Sequence, residues 1–188
     1  MDKPCGEASR GLTYLFGGQI LSILVFLPTV GWVAGIAGLV ISILGFRTLS
    51  RLSQEYYNAF ILEIANLILT VVYALTENTI LVIVLSIVTS LLTMLSVIFV
   101  CMGTGDLLRG INDRLSKHSQ WISKIYLFTT IIMVICILLS YLPLTGLALA
   151  AWGLALVASA VQLAGAVLYL IFLWKSQKAL AAWADNGY

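Results

Sequence analysis

The sequence predicts an all-α integral membrane protein: a six-span helical bundle built from three antiparallel helical hairpins, with both termini cytoplasmic. Three observations lead there. The first is composition: of 188 residues, 61% are hydrophobic and 10% charged, with a mean hydropathy of +1.06. A soluble domain carries about 25% charged residues and leaves about 30% of its chain's surface in water, so so apolar a chain needs lipid as its solvent. The second is the absence of Lys, Arg, Asp and Glu from Leu12–Phe46, Ile80–Met102, Ile125–Leu142 and Leu147–Trp174. Uncharged apolar runs of about 18 residues or more read as membrane spans. The third is a repeated helix breaker, Leu27-Pro28-Thr29-Val30-Gly31 and Leu142-Pro143-Leu144-Thr145-Gly146, set inside two of those runs.

The first run, from Leu12 to Phe46, would be roughly 52 Å long as one helix, against a hydrocarbon layer of about 30 Å. Pro28 lacks an N–H and disfavours helix in the residue before it, and Gly31 tolerates the backbone of a tight turn. Thr29 can cap the helix that follows. The run therefore divides into spans 12–27 and 30–46. The second pentapeptide divides the C-terminal region into spans 122–142 and 145–175. Tyr14-Leu15-Phe16 precedes the first turn and Tyr126-Leu127-Phe128 the second, which suggests a weak internal repeat. Spans 57–75 and 79–102, turned by Thr76-Glu77-Asn78, complete a single domain over residues 1–188.

Charge placement supports this order. The turns at 27–31, 76–78 and 142–146 hold no Lys or Arg. All ten cations fall on the other side: Lys3, Arg10, Arg47, Arg51, Arg109, Arg114, Lys117, Lys124, Lys175 and Lys178. Short cationic segments stay cytoplasmic. This predicts both termini inside, in a bacterial-type inner membrane. With an unbroken first run, Lys3 and Arg10 would fall outside. In the connector, Leu107, Leu108, Ile111 and Leu115 recur at helical spacing, which predicts an interfacial helix over 106–118; a continuation of the fourth span is the alternative. The tail from Ala179 to Tyr188 is expected to fray.

The candidate site residues are polar side chains confined to single faces of apolar helices. Glu63 is an ionisable residue well inside a predicted span, roughly 9 Å beyond the span's start at Tyr57. Asn66, Thr70, Tyr73 and Glu77 follow it at helical spacing. A carboxylate in a membrane costs a few kcal/mol or more and faces protein or a wet cavity. Two readings stand: a proton or cation site with Asn66 and Thr70 as neutral ligands, or a carboxylate paired with Arg47 or Arg51. The fourth span carries Ser86, Thr89, Ser90, Thr93 and Ser96, either as packing contacts or as the lining of a pathway. Gln162 lies near mid-span in the sixth helix and needs a partner. Gly31, Gly35, Gly38, Ser42 and Gly45 form a small-residue packing edge, facing either Gly17, Gly18, Gln19 and Ser22 of the first span or a second copy of the chain.

Other classes find less support. A net charge of +2 gives no nucleic-acid footprint. The cysteines Cys5, Cys101 and Cys136 are widely spaced, and a single histidine, His118, offers no zinc motif. Neither metal nor cofactor is expected. Asp106, Asp113 and His118 are the residues a lipid-modifying enzyme would recruit, and they match no catalytic motif. In plan alone, with six spans, similar length and both ends inside, the chain resembles the small substrate-binding subunits of energy-coupling-factor vitamin transporters. That resemblance implies a substrate-capturing subunit of a larger complex. The favoured expectation is a transporter- or channel-like protein for a small solute or ion, with the bilayer as its partner and a homo-oligomer or larger complex as its setting.

Overall fold

In a computed structural model, residues 3–23, 31–140 and 145–185 are described, with side chains over 5–21, 23, 33–139 and 153–185. They form six helices: α1 Lys3–Ile23, α2 Gly31–Leu49, α3 Gln54–Ala74, α4 Thr79–Leu108, α5 Asp113–Ser140 and α6 Thr145–Asp185. Pro28, Thr29 and Pro143 lie outside the described residues. The helices after them start at Gly31 and Thr145, within the two repeated pentapeptides.

Local chemistry explains the other helix starts. The Ser53 side chain accepts from the Tyr56 N–H at the head of α3. Asn78 accepts from the N–H groups of Ile80 and Leu81 and so caps α4, while Asn112 accepts from Leu115 at the start of α5. These oxygens satisfy N–H groups that a first helical turn leaves without partners.

Four helices are long and apolar enough to cross a bilayer: Gln54–Ala74, Thr79–Leu108, Asp113–Leu139 and Gly153–Asp185. Val33–Leu49 is a shorter apolar helix. Their outer surfaces carry large apolar side chains, with Phe128 68% exposed and Leu163 70% exposed. Such a coat is unfavourable in water and suits lipid.

The helices pack as a ring in chain order, each beside its sequence neighbours, with α6 returning to α1. Contacts set their directions. Gly11 meets Leu49 while Gly18 meets Ser42 and Gly38, so α1 and α2 run antiparallel. Tyr56 meets Thr104 and Asn66 meets Thr93 across α3 and α4. Gly105 abuts Ser119 across α4 and α5, and Ser9 donates to the carbonyl of Gln177 across α1 and α6. Gly165 lies against Ile125 and Tyr126, and Ser159 reaches Met133, across α5 and α6. These contacts gather the start of α1, the end of α2, the start of α3, the end of α4, the start of α5 and the end of α6 at one end of the bundle. The buried core, including Leu12, Leu49, Tyr56, Val100, Leu108 and Leu173, lies in that half.

Two expectations are corrected. Residues 106–118 do not form one interfacial helix. α4 continues to Leu108, the chain turns through Gly110 at φ 87°, and α5 begins at Asp113. The apolar spacing there belongs to two helix ends that pack inward: Leu108 is fully buried, with Leu107, Ile111 and Leu115 against the same core. The tail does not fray at Ala179 either. α6 runs to Asp185, and Leu180 is fully buried in the core.

The glycine edge is used within the chain. A Cβ at Gly45 would sit 2.9 Å from the Gly11 carbonyl oxygen and 2.9 Å from the Leu15 nitrogen, both backbone atoms. A Cβ on Gly18 would collide with the Ser42 hydroxyl and lie 2.7 Å from the Gly38 oxygen. The described part of the edge thus faces α1 rather than a second copy. Gly17, one residue away, has nothing within 4 Å. Gly45→Ala is expected to destabilise the detergent-solubilised protein by about 1–3 kcal/mol, lowering Tm by several degrees, whereas Gly17→Ala leaves Tm unchanged or slightly raised. Equal effects from the two would contradict the close α1–α2 contact.

Candidate functional site

The two polar stripes of α3 and α4 face each other. Ser96 donates to a Glu63 carboxylate oxygen at 3.3 Å, and the Asn66 amide nitrogen donates to the Thr93 hydroxyl at 3.2 Å. Thr93 in turn donates to the Thr89 carbonyl at 2.9 Å. Its single proton is committed there, so Asn66 must present its N–H to Thr93 and keep its own oxygen free. That oxygen, Oδ1, is buried and has no partner among the described residues. A buried acceptor without a partner costs about 1–3 kcal/mol, and an unfilled site for a ligand or water is one reason to retain it.

Beside this pair lies a cavity of about 90 Å³ lined by Glu63, Asn66, Leu67 and Thr70 from α3 and by Leu39 and Ile43 from α2. At about 30 Å³ per water, it has room for roughly three waters or one small hydrated ion. Thr70 donates to the Asn66 carbonyl, which leaves its hydroxyl oxygen able to accept. The lining polar set is thus a carboxylate, an amide and a hydroxyl. Oxygen donors of this kind suit hard cations, and one carboxylate balances a single positive charge.

Glu63 forms no ion pair with Arg47 or Arg51; the ion pair among the described residues joins Arg109 to Asp106 at 3.4 Å. The site also sits at the weakest seam of the ring. Contacts between α2 and α3 are the sparsest of any neighbouring pair. The other seams are joined by small residues or polar side chains toward the crowded end. Tyr56 and Thr104 share a buried hydrogen bond of 2.8 Å across α3 and α4. Gly103 allows the Tyr56 ring to lie against α4, since a Cβ there would be 3.1 Å from it. Gly105 sits against Ser119 across α4 and α5, where a Cβ would collide with the Ser119 hydroxyl. Tyr126 and Tyr169 stack edge to face, 6.1 Å apart, across α5 and α6.

Other residues singled out from sequence are placed differently. Ser86, Thr89 and Ser90 donate to carbonyls of their own helix, at Ile83 and Ser86, and do not line the cavity beside Glu63. Tyr73 is 42% exposed near the far end of α3. Gln162 is half-buried on α6, which adjoins α5 and α1 rather than α3. Tyr169, two turns further along α6, is buried in the core cluster that also holds Tyr56. Tyr56, Thr104 and Tyr169 form part of this interior. For Tyr56 and Thr104 the signal in sequence was weak, because tyrosine and threonine at helix ends are ordinary surface residues. On the connector, Asp113 accepts from the Gly110 N–H and Asp106 pairs with Arg109, so both shape the turn. No cluster of three or more His, Cys, Asp or Glu able to hold a metal occurs among the described residues.

The fold and this interior define a helical membrane protein with a small polar pocket between two of its helices. Comparison with known proteins adds no relative: no family model matches the chain, and no curated protein or solved structure gives a significant match.

Tyr56→Phe and Thr104→Val are each expected to lower stability by about 1 kcal/mol, and the double variant by less than their sum, as expected for one shared bond. Thermal or denaturant unfolding of the four proteins measures this; strict additivity would show that the two hydroxyls act independently.

Proposed function

We propose that the protein spans the membrane six times, with both termini cytoplasmic, and binds and passes a proton or a small monovalent cation at Glu63, in the manner of a transporter or channel. The observation that carries the reading is the cavity beside Glu63: a carboxylate within an apolar helix, the unpartnered Asn66 oxygen and the Thr70 hydroxyl around about 90 Å³. The volume narrows the class. A solute the size of a vitamin needs a pocket of about 300 Å³ or more, so the site suits an ion and not an organic substrate.

The mechanism follows from charge. An ionised Glu63 in a low-dielectric seam attracts a cation or proton, and neutralisation removes the cost of holding that charge among apolar side chains. Leu39 and Ile43 close the α2 side of the cavity with apolar surface. A neutral, occupied site allows α2 to close on α3, and an empty charged one favours water entry at the same seam. Thr93 and Ser96 fix the orientations of Asn66 and Glu63 from α4. The six-span topology rests on the antiparallel contacts and on the cations gathered at one end, which suit the cytoplasmic face.

Proteoliposome flux under a potassium diffusion potential tests the reading. Glu63→Gln removes the charge and is expected to reduce proton or sodium flux by tenfold or more, an effect of about 1.4 kcal/mol on the rate-limiting step. Asn66→Ala is expected to reduce it less. Flux and pH response equal to those of the parent protein in Glu63→Gln would remove this residue from the mechanism.

A further inference from the structure

A second site lies on the opposite side of the ring. Three hollows follow the outer seam of α5 and α6, with volumes of about 630, 280 and 520 Å³. The first two share His118 and Leu168; the second and third share Trp121 and Ile125. They therefore form one continuous groove.

Its two ends differ in chemistry. The end nearer the start of α5 is lined by Arg114, His118, Lys175 and Lys178. No Asp or Glu lines any of the three hollows, and these four side chains make no ion pair among the described residues. Lys178 instead lies over the Trp174 ring, 4.0 Å from its centre. Asp113, the carboxylate next in sequence to Arg114, is turned to the Gly110 N–H. The other end is mainly apolar, walled by Ile125, Phe128, Ile131 and Val161, with Lys124 and Thr129 as its polar lining residues. Trp121, 69% exposed, stands at the junction, as an aromatic residue does at a membrane–water boundary.

The dimensions match one leaflet. From Trp121 to Ile131 the helix rises roughly 15 Å, which is half of a hydrocarbon layer of about 30 Å. A free phosphate ion would use the cationic end and leave the apolar wall bare. An uncharged lipid would use the wall and leave the cations uncompensated. A molecule with a phosphate at one end and an acyl chain at the other fills both. We propose that the α5–α6 groove is a binding site for one anionic phospholipid, its phosphate held by Arg114, His118, Lys175 and Lys178 and an acyl chain laid along Ile125, Phe128 and Val161. The site shares no residue with the Glu63 cavity, so the two proposals stand or fall separately.

Native mass spectrometry of the full chain, released from micelles holding equal amounts of phosphatidylglycerol and phosphatidylcholine, tests it. The parent protein is expected to retain one phosphatidylglycerol with about tenfold preference, given the attraction of several cations for an anionic headgroup. The triple variant Arg114→Gln, Lys175→Gln, Lys178→Gln is expected to lose that preference, while Arg47→Gln with Arg51→Gln, which alters cations on α2 and the turn after it, keeps it. Val161→Trp fills the apolar wall while keeping every cation of the groove and is expected to lower retention, which separates a lipid from a soluble anion. The proposal is overturned by equal retention of the two lipids, by equal loss in both charge variants, or by displacement of the lipid with millimolar inorganic phosphate and no effect of Val161→Trp.

Discussion

Hydrocarbon cannot solvate a charge, and the arrangement of this chain follows from that constraint. The cations sit toward the ends of the helices or in the segments joining them. Antiparallel packing then brings those ends together: Gly11 beside Leu49, Tyr56 bonded to Thr104, Gly105 against Ser119, Ser9 bonded to Gln177. The hydrophobic effect does not drive helices together inside lipid, so close approach and interhelical hydrogen bonds must do so. The observed contacts are of those two kinds. Glycine edges hold α1 to α2, and small residues, hydroxyls and tyrosine side chains join most of the other helices toward the cationic end.

The same account explains why the loosest seam is the interesting one. Where α1 meets α2 through glycine, the backbones themselves approach closely. Between α2 and α3 the contact is sparse, and the residues facing the gap on α3 are a carboxylate, an asparagine and a threonine. Glu63 is held by one hydroxyl, from Ser96, rather than by a cation. A charge left without a counter-ion in a membrane protein is expensive, and its retention at the least crowded seam fits an exchangeable partner.

Much of this was legible in the residues. Uncharged runs marked the apolar helices, and the spacing of Glu63, Asn66 and Thr70 marked the face of α3 that lines the small cavity. The stripe on α4 pointed the right way at Thr93 and Ser96, but side-chain spacing could not tell these from Ser86, Thr89 and Ser90, whose hydroxyls bond their own helix. The 106–118 segment admitted two readings, because an amphipathic spacing describes a helix end packed on a core as well as a helix lying at an interface; α4 continues to Leu108, as the second reading has it. The turn is set by Gly110, one glycine among 15, and only its backbone angle reveals it. The tail was misread because its anchor, Leu180, packs into a core built by other helices, a long-range contact that local composition does not encode. Gln162 was chosen for depth, but ring order sets α6 beside α5 and α1 and away from α3, which carries Glu63.

The shared placement of all cationic helix ends in one water compartment is the claim on which the rest stands. It is tested by single cysteines placed in a chain lacking Cys5, Cys101 and Cys136, labelled in sealed vesicles with a membrane-impermeant maleimide. Arg10→Cys, Arg47→Cys, Arg109→Cys and Lys175→Cys should react from one side of the bilayer, and Glu77→Cys from the other. Labelling of position 10 from the side that labels position 77 would contradict the account.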